Sequence, residues 1–517
     1  MFVAFVPYRR SATTLIRPDS ESVPRLIRAT MASTAISESI YVPGSSNHVV
    51  LDPIPGPSPG LPQTSAAEIG QVLQAPSSTA APSDHARFFT SDKQTQKLRA
   101  GLHLFAIYLS MFLAGWNDGS SGPLIPRMQR VYSVGFMLVS LTFVVSCIGF
   151  ISGALLNSTS TVVSDSRLSY YLAFPCPPGA VCQALAFTTQ APAPPFPLFV
   201  IWFGINGLGY AIQNAQTNTY VASLGKSSEV SERSARLMSS SYGAGALSSP
   251  LVATQFASMT HWSFHYLVSL GIALLNVTVL VLTFRFRSQE ECLRLIGQEP
   301  SQETSTSERS NFGQIFSLRA VHLLASFSPV YVGVEVTIGG WITTYIIDIR
   351  GGGASSGYIS SGFFGGLMIS RLALLWLNKK MGEEYVLYLY AALVIALELI
   401  VWLVPSLIGG AVAVSLVGVF LGPIYPIIMN RTGRVVPRWL LSGSIGWIAC
   451  FGQAGSALIP FLTGAIASKA GRDQSASTFC ASLSPSLPLL TRHRLISMMA
   501  CFPILWALVP RTARRID

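Results

Sequence analysis

The sequence predicts an all-α membrane protein of twelve transmembrane helices in two six-helix bundles, behind a disordered N-terminal tail. Three observations carry that expectation. Half of the 517 residues are hydrophobic and 11% are charged, against about 25% charged in soluble domains. The apolar residues gather into runs long enough to cross a bilayer, which takes roughly 20 residues per helix. A polar stretch from Arg285 to Arg319, with Glu290, Glu291, Glu299, Glu303 and Glu308, divides those runs six and six. This composition excludes an ordinary soluble domain and a wholly disordered chain alike.

The first run extends from Leu102 to Pro126. Others follow at 134–156, 168–190, 197–222, 237–258 and 264–284, then at 321–347, 356–377, 385–405, 410–429, 441–467 and 495–510. The expected organisation is a tail at 1–100, an N-terminal bundle at 101–284 and a central cytoplasmic loop at 285–319. A C-terminal bundle at 320–510 and a short cytoplasmic tail at 511–517 complete it. From Pro53 to Pro82 the tail is rich in Pro, Ser and Ala and cannot bury a core. Its first thirty residues carry Arg9, Arg10, Arg17, Arg25 and Arg28 against Asp19 and Glu21. Such a start is compatible with a mitochondrial presequence, but an upstream extension, with Met31 opening the natural protein, is the preferred expectation.

The net charge of +11 invites a nucleic-acid reading, which the placement of the cations contradicts. They stand in short clusters between apolar runs, as in positive-inside loops, rather than on one phosphate-binding face. Lys226, Arg233 and Arg236, the stretch Arg285–Arg319, Lys379 and Lys380, then Arg431, Arg434 and Arg438 all fall on one side. Arg511, Arg514 and Arg515 join them, whereas the opposite loops 192–197 and 406–409 hold no cation. Arg127, Arg130 and Arg350 are exceptions. Both termini are therefore expected in the cytoplasm, with the helices in the plasma membrane or an internal membrane. The seven cysteines, among them Cys147, Cys450 and Cys501, lie mostly in apolar segments and have no metal-ligand spacing.

An internal repeat supports the division. Gly245 precedes Pro250 by five residues in the fifth run, and Gly455 precedes Pro460 by five in the eleventh. Both lie among small residues, Gly243-Ala244-Gly245-Ala246 and Gly452-Gln453-Ala454-Gly455-Ser456. Small residues let helices approach closely, and the two positions are equivalent if the halves are parallel repeats, as in rocker-type transporters.

Asp118 is the most informative residue. It sits in Gly115-Trp116-Asn117-Asp118-Gly119, deep in the first apolar run, with Gly122 close by. A carboxylate at that depth belongs against protein or a water-filled cavity. Holding two helices together by a hydrogen bond is the structural alternative. The seventh run repeats the pattern, with Glu335 ahead of Gly339-Gly340-Trp341. Asp118 and Glu335 are the proton-coupling candidates, with Asp118 the preferred carrier, because desolvation disfavours the charged form of a carboxylate. Glu398, in the more peripheral ninth run, reads as structural.

In the fourth run Asn206, Tyr210, Gln213 and Thr217 share one helical face, with Asn214 and Asn218 beside it. With Asn117, Trp341, Tyr425, Asn430 and Gln453 they form a candidate substrate cavity, namely Asn117, Asn206, Tyr210, Gln213, Asn214, Trp341, Tyr425, Asn430 and Gln453. Aromatic rings beside amides suit sugar-like ligands, although each member taken singly serves equally well as interhelical glue. Enzyme signals are absent. Gly225-Lys226-Ser227 imitates the end of a phosphate-binding loop, but Tyr220 stands where the motif needs glycine. No motif calls for a cofactor or a metal. The sequons at Asn157, Asn276 and Asn430 fall in the membrane or on cytoplasmic loops, so no glycan is expected on them.

Four motifs resemble fungal transporters of the major facilitator superfamily, and within it the fucose-permease-like branch. They are 115–119, Val-Glu-Val-Thr-Ile-Gly-Gly-Trp at 334–341, Ser-Gly-Tyr-Ile-Ser-Ser-Gly-Phe-Phe-Gly-Gly at 356–366, and Gly-Pro-Ile-Tyr-Pro at 422–426. The resemblance covers about 101–154, 179–297 and 312–470. It implies a rocker-switch transporter with proton symport. Two segments depart from it, 155–178 and 472–494. Ser164-Asp165-Ser166-Arg167 keeps only an echo of the usual charged loop, and Pro175, Pro177 and Pro178 interrupt the third run. Arg492, His493 and Arg494 abut a short last run that contains Pro503.

The expectation is thus a monomeric secondary active transporter of a small polar solute, a sugar among the candidates, with protons and the lipid bilayer as its other partners. The alternative is a non-transporting receptor or scaffold of the same fold. A cysteine placed within Ser301–Ser310 should resist a membrane-impermeant thiol reagent added to intact cells. Strong labelling there would overturn the orientation.

Overall fold

The computed structural model describes residues 84–162, 177–224, 228–298 and 314–475. Among them all regular structure is helical and no strand occurs. The principal helices are α1 (Asp84–Tyr132), α2 (Leu141–Val162), α3 (Pro177–Gln190), α4 (Phe196–Ser223), α5 (Ser228–Ser258) and α6 (His265–Phe284). After the central loop come α7 (Arg319–Arg350), α8 (Tyr358–Ala373) and α9 (Glu383–Leu403). The span Leu407–Val435 is α10, in two pieces (Leu407–Leu421 and Ile424–Val435), and α11 is Arg438–Ser475. Eight of these, α1, α2, α4, α6, α7, α9, α10 and α11, contain segments long and apolar enough to cross a membrane. Their outward faces carry bare aliphatic side chains such as Leu282 (67% exposed) and Ile408 (75% exposed). In water such a surface would aggregate, and in a bilayer it is the lipid-facing belt.

Helix boundaries differ from the sequence expectation where hydropathy is a poor guide. Helix α1 starts at Asp84, ahead of the expected boundary at 100, because Lys93–Ala100 contains neither glycine nor proline and is rich in helix formers. Helix α5 likewise begins in the polar segment before residue 237. Helix α3 is only 14 residues long from Pro177, with Pro177 and Pro178 in its first turn, where a missing N–H costs no helical bond. The expected run 495–510 and most of the two departing segments lie outside the described residues. In α10 the Gly422-Pro423 step separates the two pieces, since Pro423 has no amide to continue the ladder, and Tyr425 stands just after that step.

Glycines set the closest helix pairs. A β-carbon on Gly115 would run into the Tyr242 carbonyl, and one on Gly245 into the Phe112 carbonyl, so α1 and α5 touch backbone to backbone. A β-carbon on Gly119 would lie 2.5 Å from the Ala246 oxygen. That carbonyl is the one Pro250, lacking an N–H, cannot bond. A comparable backbone approach recurs between α7 and α11, where Gly455 abuts Pro329 and a β-carbon on Gly333 would sit 2.8 Å from the Gly455 oxygen. Helix α2 packs on α4, and α8 on α10. Helices of the two groups meet as α5 on α8 and α2 on α11.

Gly245→Ala should lower the melting temperature of the purified protein in detergent, since overpacking typically costs about 1–3 kcal/mol. Gly271→Ala in α6, where an added β-carbon meets nothing within 4 Å, is the control and should leave it unchanged or raise it.

Candidate functional site

The α1–α5 contact brings two side chains together. Gly115, about one turn before Asp118, and Gly119, the residue after it, leave no side chain of α1 between the two backbones there. The Tyr242 hydroxyl then donates to Asp118 Oδ2 at 2.7 Å. Just beyond, the Ser120 hydroxyl meets Ser249 at 2.6 Å and His265 Nε2 at 2.8 Å. Trp116 stacks on the His265 ring with centroids 5.7 Å apart. These contacts lock the register of α1 against α5 and α6.

On the other side, Glu335 of α7 faces α8. Its Oε1 lies 3.7 Å from Arg371 Nη2, with the two side chains 12% and 10% exposed. The Arg371 guanidinium also stands over the Tyr242 ring, 6.0 Å from its centroid, a cation–π contact between α8 and α5. Tyr331, one turn before Glu335, interacts with both members of the ion pair. Tyr425 stacks on Tyr331 with centroids 6.2 Å apart, and its buried hydroxyl has no partner among the described residues. Tyr210 of α4 is within electrostatic reach of Asp118, Glu335, Arg371 and Tyr425. Two acids, one guanidinium and four phenols thus form one cluster where α1, α4, α5, α7, α8 and α10 converge.

Of the residues the sequence singled out, Asp118, Glu335, Tyr210 and Tyr425 are in this cluster. Asn117, Asn206 and Gln213 belong to a neighbouring ladder of amides. Asn206 Nδ2 donates to Asn117 Oδ1 at 2.7 Å, and Gln183 Nε2 to Asn206 Oδ1 at 3.2 Å. Gln213 Nε2 donates to Gln183 Oε1, Asn276 Nδ2 to Gln213 Oε1 at 3.0 Å, and the Ser110 hydroxyl to Asn276 Oδ1 at 2.9 Å. The ladder ties α1, α3, α4 and α6 together, so Asn206 and Gln213 act as buried glue while half-buried Asn117 stands at its end. Asn214 accepts from Asn218 within α4. Trp341 lies apart, its indole N–H on the Pro460 carbonyl at 3.3 Å and its ring 5.9 Å from Phe136. Gln453 offers its backbone carbonyl to the Cys147 thiol, Asn430 is half-buried on the second piece of α10, and Glu398 is buried within α9.

Sequence reasoning missed Tyr242, Tyr331 and Arg371. Arg371 carried a usable signal, a lone cation inside the apolar run 356–377. The two tyrosines carried none beyond their position one turn from a marked residue.

Residues 107–460, more than half the chain, match the Major Facilitator Superfamily. The chain belongs to this family. As a member it is an integral, multi-pass membrane protein that carries small solutes, not an enzyme. Bypass of stop codon protein 6 from Saccharomyces cerevisiae is 24% identical over 436 residues, covering 79% of this chain and 82% of that one. Among solved structures, a D-xylose-proton symporter superposes with a TM-score of 0.61 at 12% identity, over 80% of this chain and 98% of that one. The nucleoside transporter NupG gives 0.56 at 14%, over 79% and 99%. The E. coli fucose:proton symporter FucP gives 0.52 at 16%, over 81% and 100%. At these identities the likeness is one of fold, and function has to be argued from the site.

In this superfamily member the ladder and the cluster should respond differently to truncation. Gln183→Leu strands two buried amides, at about 1–3 kcal/mol for each unsatisfied group, and should lower the melting temperature clearly. Tyr425→Phe removes a hydroxyl with no partner among the described residues and should leave the melting temperature unchanged or higher.

Proposed function

We propose that this chain is a proton-coupled secondary transporter of a small polar solute, a sugar among the candidates. It works by rocking one six-helix bundle against the other. The pairings α1–α5 and α2–α4, repeated as α7–α11 and α8–α10, support two parallel bundles at 101–284 and 320–510 joined by the loop 285–319. On this reading the run 495–510 is the twelfth helix and both termini are cytoplasmic, the side the cation asymmetry supports. The carrier works as a monomer, in the plasma membrane or an internal one.

The observation that carries the reading is the Asp118–Tyr242 hydrogen bond at the junction of the two bundles. A phenol has one proton to donate. While Asp118 is charged, the Tyr242 O–H is committed to it. Once Asp118 takes a proton, the acid O–H can donate to the phenol oxygen instead, and the Tyr242 O–H turns to an incoming solute hydroxyl. Proton loading then prepares the solute site, with Tyr210, Tyr425 and Asn117 as further polar contacts and Glu335 across the cavity. A proton moving inward down 100 mV supplies about 2.3 kcal/mol, enough for roughly fifty-fold accumulation of a neutral solute. A non-cycling receptor of the same fold would have no use for an acid and a phenol poised in this way.

The test is uptake of a panel of sugars, polyols and nucleosides into proteoliposomes with and without an imposed pH gradient. Asp118→Asn keeps shape and hydrogen bonding but cannot titrate. It should lose accumulation against a gradient while retaining exchange of the transported solute. Continued accumulation by Asp118→Asn would refute coupling through this carboxylate.

A further inference from the structure

We infer that Arg371 is a positioning residue that keeps Glu335 out of the proton cycle, leaving Asp118 to exchange the proton and fixing the coupling at one proton per uncharged solute. The inference rests on the proton-coupled reading above and adds the role of a residue that reading does not use.

Each acid of the cluster has a different kind of partner. Glu335 faces a guanidinium at 3.7 Å, and both side chains are about nine-tenths buried. Adding a proton to Glu335 would leave that guanidinium as an uncompensated buried charge, which is worse than keeping the pair. Asp118 faces a phenol hydroxyl at 2.7 Å, and a proton placed on it leaves that partner neutral.

The other described groups around Glu335 add no second cation. Tyr331 of its own helix, Tyr210 of α4, Tyr242 of α5 and Tyr425 of α10 are all phenols, which are neutral at physiological pH. Cys450 of α11, beside Tyr425, and Cys147 of α2, near Cys450, are thiols. Arg371 is therefore the counter-charge that α8 supplies, and Asp118 of α1 is the other anion of the cluster.

The distribution of partners among helices suits a moving carrier. Asp118 and Tyr242 both lie before the central loop, and Glu335 and Arg371 both lie after it. Each acid can keep its own partner while the two groups of helices rock. The contact that spans them here is the guanidinium over the Tyr242 ring, which can be made and broken without creating a bare charge. Charge arithmetic then sets the solute class. With both acids ionised the cluster carries one net negative charge, and one proton brings it to zero. A solute with no net charge can enter that neutral site, whereas an anion would need a second proton.

The test needs no known substrate. The full chain is reconstituted in vesicles, and infrared difference spectra are recorded as the buffer is stepped from alkaline to acidic. The C=O stretch of protonated carboxyl groups is compared variant against wild type, which cancels the loop acids. The wild type should show a cluster band that vanishes in Asp118→Asn and persists in Glu335→Gln. Arg371→Gln should add a second band, which disappears in the double variant Glu335→Gln with Arg371→Gln, while Arg371→Lys should keep the wild-type spectrum. Loss of the wild-type band in Glu335→Gln, or an Arg371→Gln spectrum identical to wild type, would overturn the inference. The first of these does not depend on Arg371→Gln folding. A wild type with no Asp118-dependent band would instead sink the proton-carrier reading, while a Glu335 band gained in Arg371→Gln would still establish what Arg371 does.

Discussion

The polar centre of this protein depends on helix backbones coming into contact. At Gly115, Gly119 and Gly245 no side chain separates α1 from α5, and the two helices meet at their carbonyl oxygens. That proximity carries Asp118 to the Tyr242 hydroxyl. It also leaves the Tyr242 ring facing α8, where Arg371 can reach it. Larger residues at these glycines would push the helices apart, and the acid would have to find another partner or drop out of the interior. In lipid, where apolar surface gains little by leaving one hydrocarbon environment for another, such close van der Waals packing is a main source of helix association.

Polar groups placed in such an interior must be answered individually, and the two classes present are answered in different ways. The amides of Asn117, Asn206, Gln183, Gln213 and Asn276 satisfy one another in a chain across four helices. A network of that kind is rigid, because removing any member strands its neighbours. The charged cluster is answered less completely. Its ion pair is closed, yet the Tyr425 hydroxyl has no partner among the described residues, and Asp118 is held by a group whose hydrogen bond can reverse. Rigidity on one side and unspent hydrogen-bonding capacity on the other separate scaffold from site.

The same logic extends to the seam between the helices before and after the central loop. Toward the end where α1, α5 and α7 finish, that seam is stitched by neutral contacts beside one electrostatic pairing, Asp348 of α7 with Arg130 of α1. Gln255 meets the Tyr358 hydroxyl, and the Met137 amide donates to the Ser468 hydroxyl at 2.8 Å. Gly122 packs against Gly339. Contacts of this kind exchange readily for water or for one another.

The apolar runs, the polar loop that divides them and the isolated acids at Asp118 and Glu335 were legible in the sequence. Hydropathy is a property of local composition, and a buried charge stands out against it wherever it occurs. The repeated Gly245–Pro250 and Gly455–Pro460 spacing pointed to equivalent helices for the same reason, since close packing demands small residues whatever the partner. Pairing was not legible. Asn206 and Tyr210 lie four apart on one helical face, yet the first closes an amide ladder and the second joins the charged cluster. Which one does which depends on what each side chain reaches, Gln183 of α3 in the first case and Asp118 and Tyr425 in the second. Arg371 could be noticed as an intramembrane cation, but its choice of Glu335 over Asp118 follows from α7 and α8 being neighbours while Tyr242 stands before Asp118. Sequence determined that this chain lives in a membrane with charge at its centre. Only the tertiary structure decided which charge meets which, because a counter-charge is chosen by a few ångströms of distance between segments far apart in the chain.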